Sequence, residues 1–231
     1  YVCINNVQFT RHKSYYSPGE LTAAQVKWLE QDLALTPRSM KVVLCYHIPF
    51  TFGNSPYGKA HPLDIAKEKG HYISSRLSML LGLLERFEGG YELFCGHTHF
   101  ALNHEINYRH IMEHCHAAAC GNIWQSNINI CGTPNGYYVY TFEDTRLTDC
   151  YYKGTFWNAS RQMTLFRADT DFNGDSYVND WNLPKNRGVL VANVFNADSR
   201  WRVIAIEDGE EHHMKRIASK GQDAFAAGYH H

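Results

Sequence analysis

The chain has 231 residues, of which 44% are apolar and 14% aromatic, with a formal net charge of −1. This is the composition of a folded globular protein rather than a disordered one, and 22 basic against 23 acidic residues with no basic block argues against nucleic acid or an anionic membrane as main partner. No apolar run approaches the roughly 20 residues that span a bilayer, and the first residues lack the pattern of a signal peptide.

Residues 1–9, Tyr-Val-Cys-Ile-Asn-Asn-Val-Gln-Phe, read as a strand. Thr22 and Gln25 have the spacing of a capping box and Leu21 and Val26 that of a hydrophobic staple, so a helix is expected over 23–35. Val26, Leu29 and Leu33 form its buried stripe, with Trp28 at the edge. The β-branched run that follows, 41–47, ends in His47, and Pro49 prevents the strand from continuing. Gly53, Asn54, Ser55, Pro56, Gly58 and Pro62 make 50–70 an irregular segment, either the rim of a substrate pocket or a surface excursion. Leu77, Leu80, Leu81, Leu84 and Phe87 recur at helical spacing and predict an amphipathic helix over 73–87, ended by Gly89 and Gly90.

The next strand, 91–95, runs into Gly96-His97-Thr98-His99. Glycine lets the backbone turn sharply as it leaves a strand, and the one-residue gap lets two imidazoles project from the bend, which is a way to present metal ligands. His47 at the end of the preceding strand strengthens that reading. The further histidines His104, His110, His114 and His116 cannot converge by local geometry, because one spacing suits a helix face and the other a strand face; His116 is the best candidate among them for a pocket role.

A turn rich in glycine and proline precedes an alternating aromatic strand at 136–142, and 148–155 reads as the last strand of the core. From about residue 157 helical periodicity gives way to short β-rich runs at 162–166, 189–195 and 201–207, the last turning at Asp208-Gly209, which suggests a small β-sandwich. Residues 171–180 alternate oxygen-bearing side chains, as a calcium loop does, but neither register fits fully, and a polar hairpin turn is the competing reading. Cys3, Cys45 and Cys95 lie in apolar runs and are expected as buried thiols; Cys115, Cys120, Cys131 and Cys150 are candidates for one disulfide.

The order of His-x-Pro after one strand and Gly-His-x-His after the next resembles the later motifs of calcineurin-like metallophosphoesterases. The resemblance implies a binuclear centre in which His47 and His97 hold one divalent ion (Mn, Fe or Zn) and His99 holds the other, with a shared hydroxide attacking the phosphorus of a small phosphate ester. The family's earlier motifs, Asp-x-His, Gly-Asp-x-x-Asp or Asn, and Gly-Asn-His-Asp or Glu, do not occur, so the centre is expected to be completed by a missing N-terminal half of the same domain. The implied fold class is α/β: residues 1–156 as the latter part of an αββα sandwich, and 157–231 as an accessory β domain similar to that of a bacterial subgroup, with a periplasmic or secreted location. The expected function is hydrolysis of a phosphomonoester or phosphodiester; the alternative is a non-catalytic β-type module binding calcium and carbohydrate.

Overall fold

The computed structural model describes residues 1–7, 21–50, 75–106, 111–121, 126–170, 188–198, 200–217 and 223–226. The expected calcium loop, His110 and nearly all of the irregular 50–70 segment lie outside these residues.

β1 (Val2–Cys3), β2 (Val42–Cys45), β3 (Tyr91–Cys95), β4 (Leu102–Ile106) and β5 (Ile111–Cys115) form a five-stranded sheet in the order β1-β2-β3-β5-β4. β1, β2, β3 and β5 are parallel, and β4 runs antiparallel along β5. Among the described residues two helices serve this sheet, α1 (Ala23–Ala34) and α2 (Ser75–Leu84). The capping box at the start of α1 is formed: the Thr22 hydroxyl accepts from the Gln25 amide at 3.2 Å, while the Gln25 side chain accepts from the Thr22 amide at 2.8 Å. Such a cap satisfies two amides that would otherwise lack partners and stabilises a helix by about 1 kcal/mol.

Alternation along the strands decides which side chains meet the helices. Val42, Leu44 and Tyr46, with Leu93, Cys95 and Cys115, share one buried cluster with Val26, Leu29 and Leu33 of α1 and Leu80, Leu81 and Leu84 of α2. Leu44, Leu80, Leu81, Leu84 and Leu93 are fully buried, and each such leucine contributes about 1.5–3 kcal/mol relative to an exposed one. The opposite phase is covered by an antiparallel hairpin, β6 (Gly136–Glu143) and β7 (Arg146–Gly154), whose Tyr140 stacks on Phe94 of β3 with centroids 4.4 Å apart. Over β3 and β5 the sheet is thus clothed on both faces, the usual condition of parallel strands.

Two more antiparallel pairs follow, β8 (Met163–Arg167) with β9 (Leu190–Val194) and β10 (Ile204–Glu207) with β11 (Glu210–His213). Phe195, after β9, packs its ring against Tyr152 and Trp157, and Asn103 Nδ2 donates to the Asn196 carbonyl at 2.9 Å. The turn at Asp208-Gly209 takes left-handed φ values of 52° and 86°, the conformation a two-residue hairpin loop requires.

Cys95 is buried as expected, but Cys3 is exposed and Cys45 only half-buried. Cys3 lies on β1, the edge strand of the described sheet, and Cys45 is its neighbour across the β1–β2 pair. All seven cysteines are free thiols, and Cys115, one of the four disulfide candidates, instead donates to the Gly96 carbonyl at 3.0 Å.

Candidate metal centre

β2 and β3 are adjacent and parallel, with Cys45 opposite Phe94. Each is followed, two residues past its end, by a histidine. The register therefore sets His47 beside the Gly96 turn, where the Gly96 amide donates to the His47 carbonyl at 3.0 Å. His47 Nε2 and His97 Nδ1 lie 3.0 Å apart, with the rings edge-on at a 4.9 Å centroid separation.

The turn that carries His97 is strained. Thr98 N–H donates to the Gly96 carbonyl at 2.7 Å, closing a three-residue turn around His97 at φ 69°, and His99 is left-handed as well at φ 60°. This is the rarer γ-turn, and a left-handed non-glycine residue costs roughly 1–2 kcal/mol. Strain of this kind persists only where neighbours over-determine it. Here the Thr98 hydroxyl donates to the Phe100 carbonyl at 3.1 Å and lies 3.0 Å from Cys115 Sγ.

Burial, then the nearby imidazoles of His47 and His99, lowers the His97 pKa below the ordinary histidine value. His97 is consequently held neutral near pH 7, the form that can donate a lone pair to a metal. Two nitrogens bound to one ion at about 2.0–2.1 Å stand roughly 3.0–3.4 Å apart, so the His47–His97 separation suits two ligands of a single first-row ion. Among the described residues no set of three His, Cys, Asp or Glu side chains gathers round one point. The structure brings His47 and His97 together, and His99 stands near them without joining a three-residue set.

His114 and His116 serve other ends. His116 is stacked on Tyr138 at 4.6 Å, its Nε2 lies 2.9 Å from the Tyr140 hydroxyl, and burial followed by the His114 charge pushes its pKa down to about 4. It belongs to the aromatic layer between sheet and hairpin. His114 is buried against Asn103 Oδ1 at 2.8 Å and stands 3.6 Å from Glu92, which also pairs with Lys41 at 3.0 Å. Burial alone would raise Glu92, but its bonds from His114 and Lys41 outweigh burial and hold the carboxyl below its usual range.

Sequence reasoning missed two buried polar groups behind His47. The side chain of Asn6 is wholly buried and bonds the backbone of His47 and Ile48. Glu113, also wholly buried, accepts from the Phe50 amide at 2.7 Å and from the Tyr46 hydroxyl at 2.5 Å. A signal for Glu113 was present: in the alternation of Ile111, Glu113 and Cys115 a carboxylate occupies the apolar phase.

Residues 113–230 match a family model described as the C terminal of calcineurin-like phosphoesterase. Over 84 residues the chain is 36% identical to the glycerophosphodiester phosphodiesterase GpdQ of Enterobacter lignolyticus (strain SCF1), an alignment covering 36% of this chain and 26% of that protein. The matched stretch thus spans about a quarter of that relative's length. No solved structure matches the chain.

Proposed function

The chain belongs to the calcineurin-like phosphoesterases as a C-terminal part, and from that membership we propose that it supplies the histidine side of a metal centre that hydrolyses a phosphodiester. The observation that carries this reading is the 3.0 Å approach of His47 Nε2 to His97 Nδ1 at the ends of two adjacent parallel strands. The phosphodiester, rather than a monoester, is favoured by the likeness to a glycerophosphodiester phosphodiesterase.

His47 and His97 would hold one divalent ion, Mn, Fe or Zn, and His99 would face a second. Such ions, when bound, polarise phosphoryl oxygens and acidify the attacking water. The contribution of this chain is positional. The sheet register sets the distance between the two imidazoles, the γ-turn aims His97, and burial keeps it neutral. Three histidines do not saturate two ions, so further ligands, carboxylates above all, would complete the site.

The layers fit an αββα sandwich, with the helices on one face of the first sheet and the β6–β7 hairpin belonging to the second. Residues 157–231 are assigned to an accessory β region, docked on the core through Phe195 and Asn196.

The test is metal stoichiometry by elemental mass spectrometry on the full-length protein purified with manganese and zinc, paired with hydrolysis of chromogenic aryl phosphodiester and monoester substrates. Two ions per chain with diester turnover is the expected result. A metal-free protein without turnover would overturn the assignment.

A further inference from the structure

Beyond the metal-bearing histidines, we infer that Asn6 is a positioning residue that fixes the backbone of His47. Pairing of β1 with β2 ends at Cys3 opposite Cys45, and one further bond follows, from the Ile4 amide to the Cys45 carbonyl at 2.9 Å. Past that point, among the described residues, the β1-side edge of His47 and Ile48 has no strand to pair with, although Ile48 is only 1% exposed. The carboxamide of Asn6 takes the place of a peptide group there. Its Oδ1 accepts from the His47 amide at 3.2 Å and the Ile48 amide at 2.9 Å, and its Nδ2 donates to the Ile48 carbonyl at 2.6 Å.

Asn6 is itself fully buried and spends its carboxamide on these two residues. On the other side, the His47 carbonyl is held by the Gly96 amide. His47 is therefore pinned between the residue beyond β1 and the turn beyond β3, which is the turn that carries His97. Removing the Asn6 carboxamide frees one of these two anchors and leaves three backbone groups, two of them on buried Ile48, without that partner, so the segment must shift to find others. The His47–His97 separation then changes, although neither histidine has been altered.

This inference rests on the reading of His47 as a metal ligand, and the experiment separates the two. In the full-length protein, Co2+ titration followed by visible d–d absorption compares wild type, His47→Ala and Asn6→Ala, with circular dichroism as the check on folding. Partners that orient a metal ligand typically govern about 10–100-fold of affinity. Asn6→Ala is expected to bind Co2+ about 10–100-fold more weakly with an unchanged dichroism spectrum. A folded Asn6→Ala protein that binds Co2+ within about twofold of wild type overturns the positioning role, since a residue that only stabilises the fold would shift the melting temperature and nothing else. If His47→Ala itself binds like wild type, the metal reading fails first. Where Asn6→Ala does not fold, hydrogen exchange on the wild-type protein decides. The His47 and Ile48 amides are expected to exchange at least about a hundredfold more slowly than in an unstructured chain, and unprotected amides overturn the proposal.

Discussion

The Tyr46 hydroxyl donates to the Glu113 carboxyl at 2.5 Å, reaching from the end of β2 across β3 to β5. The same oxygen accepts from the Phe50 amide at 2.7 Å, so one buried carboxyl ties down the chain on both sides of His47. Removing one partner of a buried bond to such a group costs about 1.5–3 kcal/mol. Tyr46→Phe is expected to lower stability by that amount in urea denaturation. Glu113→Gln, which keeps an acceptor oxygen, should cost less than Glu113→Ala.

His97→Ala should lower phosphodiester turnover of the full-length protein by more than about a hundredfold while leaving the circular dichroism spectrum unchanged, because loss of a ligand exceeds the loss of a ligand's supporting partner. An active His97→Ala enzyme would sink the site assignment. A companion variant probes the turn. With φ at 69°, His97→Gly should be at least as stable as His97→Ala despite glycine's greater chain entropy, since only glycine adopts that conformation without steric cost.

Stability should fall as the medium is acidified from about pH 6.5 to about pH 4. His116 binds a proton at its ordinary value when unfolded but only near pH 4 when folded, because burial and then His114 oppose its charge. Between those values the unfolded chain holds more protons, so acid favours unfolding, by on the order of 3 kcal/mol in full. Glu92, whose folded pKa is lowered, adds loss in the same sense at the acid end. Urea midpoints at pH 7 and pH 4.5 measure the effect, and His116→Phe should flatten the dependence.

Gly89→Ala should destabilise the protein by about 1–3 kcal/mol, the range for forcing extra atoms into a packed region. A Cβ there would lie 2.7 Å from Lys41 N and from the Met40 carbonyl carbon and oxygen, all backbone atoms that cannot step aside. The neighbouring Gly90 carbonyl accepts from the Val42 amide at 3.0 Å, so the strain falls on the start of β2 as well as β3. Thermal melting of the single variant checks it.

What the sequence disclosed were features whose causes are local. Thr22 and Gln25 specify the start of α1 by themselves, and the strand expected over 91–95 is bounded by the glycines that flank it. The helix expected to reach Phe87 stops at Leu84, and Phe87 is buried by a turn whose amide bonds the Leu84 carbonyl at 3.1 Å. The proximity of His47 and His97 was also legible, since two apolar runs of similar length in a parallel sheet end at the same edge. The service of Asn6 to a backbone 41 residues away was not, because it depends on a register that only the assembled sheet creates. The exposure of Cys3 depends on which strand lies at the edge, and the confinement of His116 depends on a hairpin that arrives 20 residues later in the chain; neither is written in the residues themselves.

Setting the two histidines two residues beyond adjacent parallel strands bounds their separation by the interstrand distance of about 4.8 Å, and the γ-turn and the Asn6 carboxamide then fix the two backbones. Beyond Phe50 and Phe100, the last residues to take part in those contacts, the following sequence is released from the task of spacing the imidazoles. On the proposed reading, relatives would diverge in those later stretches and so change what is admitted to the site, while the proposed metal chemistry stays the same. Selectivity and reactivity would then evolve on separate parts of one chain.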